Sequence, residues 1–149
     1  ADEPTTALDV TIEAQILRLM KQLQEDQGTS ILMITHNLGV VAEICDSVYV
    51  MYAGEVVEYA DVFALFREPM HPYTNGLLKS LPRMRQRQDR LYTIKGMVPN
   101  LNSMPKGCRF APRCECATER CRCEAPCLYD RGEGHLVRCF RCEKGVVAQ

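Results

Sequence analysis

Eight of the nine cysteines are crowded into one stretch, at positions 108, 114, 116, 121, 123, 127, 139 and 142. From Pro99 onward hydrophobic periodicity is weak, and cysteines, prolines and charged residues dominate. A segment with so little apolar surface cannot be organised by a core of its own. Thiol chemistry has to do it, through disulfides or through a metal held by thiolates.

The formal charge of −1 conceals the same division of the chain. Residues 1–82 carry 4 basic and 12 acidic side chains, a net of −8, whereas residues 83–149 carry 14 basic and 7 acidic, a net of +7. Only Cys45 precedes the cluster. Two modules are expected, and 149 residues suffice for one ordinary domain or for part of one with a small appendage. An apolar content of 46% allows a real core in the first module. No run of 18 apolar residues is present, which excludes a spanning helix from the expectation. No charged-then-apolar leader is present, and the chain opens on Ala1-Asp2-Glu3 rather than Met, the expectation being a truncated start.

Residues 11–26 place Ile12, Ile16, Leu19 and Leu23 at steps of three or four, which predicts an amphipathic helix closed by Gly28. Residues 29–36, TSILMITH, form a continuous apolar run of the kind found in strands buried on both faces. Short helices are expected over 38–45 and 61–67, and another within 71–82, with Pro72 in its first turn. Residues 47–59 predict a hairpin turning at Ala53-Gly54, and 91–98 a strand. Helix followed by a fully apolar strand argues for an α/β layer with a parallel sheet.

Asp2-Glu3-Pro4-Thr5-Thr6-Ala7-Leu8-Asp9, a helix, and then an apolar run ending in Thr35-His36-Asn37 follow one another in order. Together with the hairpin Met51-Tyr52-Ala53-Gly54-Glu55-Val56-Val57-Glu58, this block resembles the C-terminal half of the P-loop NTPase domain of ABC ATPases. His71-Pro72-Tyr73-Thr74 resembles a segment of the dipeptide/oligopeptide importer branch of that family. The resemblance implies specific roles. Asp2 would hold Mg²⁺ through its water shell, and Glu3 would orient and polarise the attacking water. His36 would hydrogen-bond the γ-phosphate, and Asp9, in the D-loop, would lie at the interface of an ATPase dimer. Asp9 also stands where an N-cap for the 11–26 helix is needed. By itself His71 reads as a loop residue without a chemical role.

The sequence departs from the family pattern in one respect. It contains no G-x-x-x-x-G-K-[ST] phosphate loop, glutamine loop or Leu-Ser-Gly-Gly-type signature, all of which precede the Asp2-Glu3 motif in the family. This chain alone is therefore expected not to turn over ATP.

An ATPase of this kind works in a reducing compartment, which disfavours disulfides and favours a metal. Zinc sites usually carry paired C-x₂₋₄-C motifs, and only Cys139/Cys142 has the C-x₂-C form. Cys108-x₅-Cys114-x₆-Cys121-x₁₇-Cys139 instead resembles the C-terminal extension of some dipeptide-importer ATPases, where it implies a [4Fe-4S] cluster held by those four thiolates. Zn²⁺ is the alternative. Cys116, Cys123, Cys127 and Cys142 have no assigned role. Arginines 113, 120, 122, 138 and 141 either screen the cluster or are solvated charge. The basic stretch Arg83-Met84-Arg85-Gln86-Arg87 lacks interleaved aromatics, so a solvated linker is expected rather than a nucleic-acid site.

The expected organisation is then an ATPase segment over 1–60, an importer-type connecting region over 61–98, and a cysteine-rich extension over 99–149. The resemblance implies ATP and Mg²⁺, a second ATPase subunit, transmembrane permeases and, indirectly, a peptide-binding protein. It also implies a peripheral place on the cytoplasmic face of the bacterial inner membrane. The rival readings are a non-catalytic metal-binding interaction module and an importer ATPase for another solute such as nickel.

Overall fold

Val10–Gln27 forms the helix α1 in a computed structural model that describes residues 1–81 and 92–143 and the backbone of 146–147. Its C-terminal end is Gly28 at φ 61°, the left-handed conformation that closes a last turn. Asp9 occupies the N-cap position, but its side chain makes no capping bond, so the cap expected of it is absent. The buried residue of α1 is Leu17, whereas Ile12, Leu19 and Leu23 of the anticipated stripe are exposed. Leu38–Ile44 forms α2, and here the cap is made: Asn37 Oδ1 accepts from Gly39 N at 2.9 Å and from Val40 N at 3.4 Å.

Residues 29–36 do not form the expected strand. Their parallel pairing is a single bridge, Asp2 with Ile34, in which Glu3 N donates to Ile34 O and Ile34 N to Ala1 O, each at 2.8 Å. A strand buried on both faces needs neighbours along both edges. Among the described residues only this short N-terminal segment borders it, and Leu32 and Ile34 stand 76% and 57% exposed. Ala1–Asp46 makes one compact unit and Ser47–Gln149 a second.

The second unit is built on an antiparallel sheet. Strands β1 (Ser47–Tyr52) and β2 (Glu55–Asp61) form the anticipated hairpin, with Ala53 at φ 48° and Gly54 at φ 83°. Two consecutive positive φ values are the signature of a type I′ turn, whose twist suits adjacent strands. Asp61 caps α3 (Val62–Arg67) by accepting from Phe63 N and Ala64 N. Pro72 opens α4 (Pro72–Lys79) at the first turn as expected. The basic stretch 83–87 lies outside the described residues. Residues 92–98 form no strand: Arg113 instead holds the carbonyls of Ile94 and Lys95, at 2.9 and 3.0 Å.

The cysteine-rich segment contributes α5 (Glu119–Cys123) and the short strands β3 (Tyr129–Asp130), β4 (Leu136–Val137) and β5 (Val146–Val147). The sheet order is β1-β2-β4-β3-β5, so the hairpin and the cysteine-rich segment share one sheet. Its strands come from both sides of positions 60/61 and 98/99. Arg138 secures the junction: its backbone N–H donates to Val57 O at 2.8 Å, and its guanidinium to Val56 O and Pro126 O at 2.9 and 3.1 Å. That arginine therefore pins backbone carbonyls.

The core is aromatic. Phe110 meets Tyr52 edge-on at 5.1 Å, and both pack on Tyr73 of α4, with Val50, Val57, Ala60 and Leu65 beneath. Beside this core lies Glu58, 0% exposed. One carboxylate oxygen accepts from Met70 N at 2.7 Å and faces His135 Nε2 at 2.7 Å; the other accepts from His71 N at 3.0 Å. Glu58→Ala would strand the buried His71 N–H and His135 ring together with the half-buried Met70 N–H. It is expected to cost about 3–5 kcal/mol, the usual result of removing one partner of a buried polar pair. Glu58→Gln, which still accepts, should cost less, and urea unfolding midpoints will separate the two variants.

Candidate functional site

Two sites emerge, one in each unit. In the first, the parallel bridge brings the Asp2-Glu3 segment alongside the end of the apolar run, so residues 33 positions apart in sequence meet. Glu3 Oε1 lies 3.0 Å from His36 Nδ1, and Thr6 Oγ1 donates to Glu3 Oε2 at 2.9 Å. The Thr6 hydrogen bond and then His36 hold the Glu3 carboxyl below its ordinary range, favouring the carboxylate. Glu3 itself has φ 42°, a left-handed conformation uncommon outside glycine. Thr35 Oγ1 accepts from Asn37 N at 3.0 Å and shapes the turn that presents His36. Of the residues singled out from sequence, Glu3 and His36 are brought into contact. Asp2 lies in the bridge and Asp9 at the head of α1, and both are exposed. Thr6 was not anticipated; its place three residues after Glu3 in a tight turn was the available signal.

In the second unit, Cys108, Cys114, Cys121 and Cys139 line one cavity of about 260 Å³. The loop that carries them is held by backbone contacts. Cys108 N donates to Cys121 O at 2.8 Å, and Cys114 N to Ala111 O at 3.3 Å. Gly107 is required there, because a Cβ would strike the Cys121 carbonyl and the Arg122 backbone. Burial pushes the thiols of Cys108, Cys114 and Cys139 up, Cys139 to about 11, and the neighbouring thiols push in the same direction. Such thiols are neutral in the free protein, and taking up a cation must expel their protons.

Cys116 also lines the cavity and receives a contact from Arg141 at 3.4 Å. Cys142 is buried against Tyr129 and Val137, and Cys123 and Cys127 are exposed. No group of three or more His, Cys, Asp or Glu side chains among the described residues is spaced to hold a single metal ion. Arg120 and Arg141 reach the cavity wall. Arg120 is committed to Glu124 and Glu143, with its guanidinium 4.0 Å over the Phe140 ring. Arg113 and Arg138 hold carbonyls, so of the five arginines considered for screening only two face the cavity.

Residues 57–121 match the family described as oligopeptide/dipeptide transporter, C-terminal region. A putative peptide import ATP-binding protein of Brucella ovis is 56% identical over 95% of this chain and 44% of its own length. The oligopeptide transport ATP-binding protein AppD of Bacillus subtilis is 56% identical over 97% of the chain and 44% of its own length. For the dipeptide transport ATP-binding protein DppD of Escherichia coli the identity is 48%, over 93% and 42%. Residues 57–121 carry the C-terminal region of the oligopeptide/dipeptide transporter family. The chain spans less than half the length of these relatives and corresponds to the C-terminal part of an ABC ATPase.

The matched transporter region contains Glu58, His71, Cys108, Cys114 and Cys121, and ends before Cys139. His71 departs most from its sequence reading. It is 1% exposed rather than a loop residue, and its Nδ1 accepts from Tyr73 N at 3.1 Å as the N-cap of α4. Burial lowers its pKa to about 4, which keeps the ring neutral. No helix among the described residues is long and apolar enough to cross a membrane.

Proposed function

We propose that this chain is the C-terminal part of an ATP-hydrolysing subunit that drives dipeptide or oligopeptide uptake through a bacterial ABC importer. The observation that carries the reading is the contact of Glu3 with His36, made across the parallel bridge. In this reading Glu3 takes a proton from the attacking water, with Thr6 and His36 fixing its two oxygens. His36 meets the γ-phosphate through Nε2. Asp2, exposed beside Glu3, fits a magnesium ion through its water shell. The metal supplies charge neutralisation on the phosphates.

The ATPase segment is 1–60, with Asp9 at the interface to a second ATPase subunit. Residues 61–98 connect it to the cysteine-rich extension, 99–149. The partners are permeases at the cytoplasmic face of the bacterial inner membrane, and a peptide-binding protein acts through them. The names of the relatives support peptides as the transported class.

The extension holds a [4Fe-4S] cluster through Cys108, Cys114, Cys121 and Cys139. What supports the reading is that these four thiols line one cavity of about 260 Å³. When bound, the group supplies four metal–thiolate cross-links to a segment with little core.

Because the phosphate loop is absent from the sequence, purified 1–149 is expected to show no ATPase activity, while the full-length subunit hydrolyses ATP. A phosphate-release assay on both proteins tests this. Turnover by 1–149 above background would overturn the assignment of roles.

A further inference from the structure

The His71 imidazole has one nitrogen committed and one available. Its Nδ1 accepts the Tyr73 N–H at 3.1 Å, so in the neutral ring the proton resides on Nε2. The backbone N–H of the same residue donates to Glu58 Oε2 at 3.0 Å, and the ring lies against Phe110, centroids 5.7 Å apart. Two contacts thus orient the ring, and the backbone bond anchors the residue that carries it. The residue is 1% exposed, yet it forms part of the wall of the cysteine cavity. Among the described residues Nε2 makes no hydrogen bond, and it is not among the fully enclosed unpaired side-chain atoms, of which Thr74 Oγ1 alone is found. Of the arginines on that wall, Arg120 is engaged with Glu124 and Glu143, and Arg141 donates through one nitrogen to Cys116.

We infer that His71 is a positioning residue for the group in the cysteine cavity, its Nε2–H donating a hydrogen bond to a sulfur there, either a ligand thiolate or an inorganic sulfide. The inference rests on the cluster reading of that cavity. Negative charge in an iron–sulfur centre is concentrated on sulfur, and hydrogen bonds to sulfur stabilise the reduced form, raising the reduction potential. A neutral donor does this without adding a buried charge. Low exposure strengthens the bond, because water does not compete for it.

Asn and Gln separate the two duties of the ring. Asn at position 71 places an acceptor near Nδ1 and keeps the cap on α4, but does not reach the position of Nε2. Gln extends an N–H donor to about that position. Iron and acid-labile sulfide are first measured in the anaerobically purified protein, and the midpoint potential is then followed by the paramagnetic signal of the reduced centre. His71→Asn is expected to retain the iron and to lower the midpoint, with His71→Gln close to wild type. An unchanged midpoint in His71→Asn overturns the inference while leaving the cluster reading intact. Wild-type protein without iron or sulfide overturns the cluster reading and this inference with it. Should His71→Asn fail to fold, wild-type protein labelled with ¹⁵N-histidine decides the matter. A weak ¹⁵N coupling to the reduced centre in pulsed paramagnetic resonance supports the bond, and its absence overturns it.

Discussion

Glu3→Gln in the full-length subunit is expected to cut ATP hydrolysis by roughly 10²–10⁴-fold, the usual contribution of a positioned general base, and to leave ATP binding in place. The geometry makes this substitution selective. Glu3 Oε2 accepts from Thr6 Oγ1 at 2.9 Å and Oε1 faces His36 Nδ1 at 3.0 Å, so an amide of the same shape keeps both neighbours. What it removes is the negative charge, which the Thr6 hydrogen bond and His36 favour in the native protein. A bound nucleotide that is not hydrolysed should accumulate in the subunit dimer, measurable by size-exclusion chromatography with labelled ATP. Thr6→Val, which frees only one carboxylate oxygen, should have a smaller effect in the same direction. Ordinary turnover in Glu3→Gln would show that another group activates the water.

The cysteine replacements should divide sharply. Protein purified without oxygen is expected to be brown and to contain about four irons and four acid-labile sulfides per chain. Changing Cys108, Cys114, Cys121 or Cys139 to Ser should bleach it. The loop from Pro99 to Cys142 should then become more sensitive to protease, although Phe110, Ala111, Tyr129 and Val137 stay buried. Cys123→Ser and Cys127→Ser should keep the colour, since both side chains are exposed and neither lines the cavity. Cys142→Ser should keep the iron at some cost in stability, its side chain being packed with Tyr129 and Val137. Cys116 is the informative control. It lines the cavity next to Cys114, and retention of four irons in Cys116→Ser is expected if the other four are the ligands. A colourless protein with one zinc would decide for the alternative metal.

Local signals were enough to locate most of the helices and the first hairpin. Gly28 at the end of α1, Ala53-Gly54 in the turn and Pro72 at the head of α4 act through backbone conformation within a few residues. Motif order placed Glu3 and His36 in one expected site, and the fold brings the two into contact; the four cysteines named from the pattern line a cavity that Cys116 lines as well. The run 29–36 was misjudged as a finished strand. Its apolar character registers what a strand requires on both sides, and pairing is a property of neighbours rather than of the segment itself. The stripe of α1 failed for the same reason, with Leu17 buried in place of Ile12, Leu19 and Leu23.

Tertiary structure alone decided the roles of Glu58 and His71. In sequence Glu58 is one charge in a hairpin and His71 one histidine before a proline. Only the fold brings β2, the head of α4 and His135 together, over separations of 13 and 77 residues. It is burial at that meeting point that turns a surface-type carboxylate into a shared acceptor and leaves the His71 ring neutral. Periodicity and composition record which side chains avoid water. They carry no record of which polar groups will be enclosed together, because that depends on contacts between segments distant in the chain.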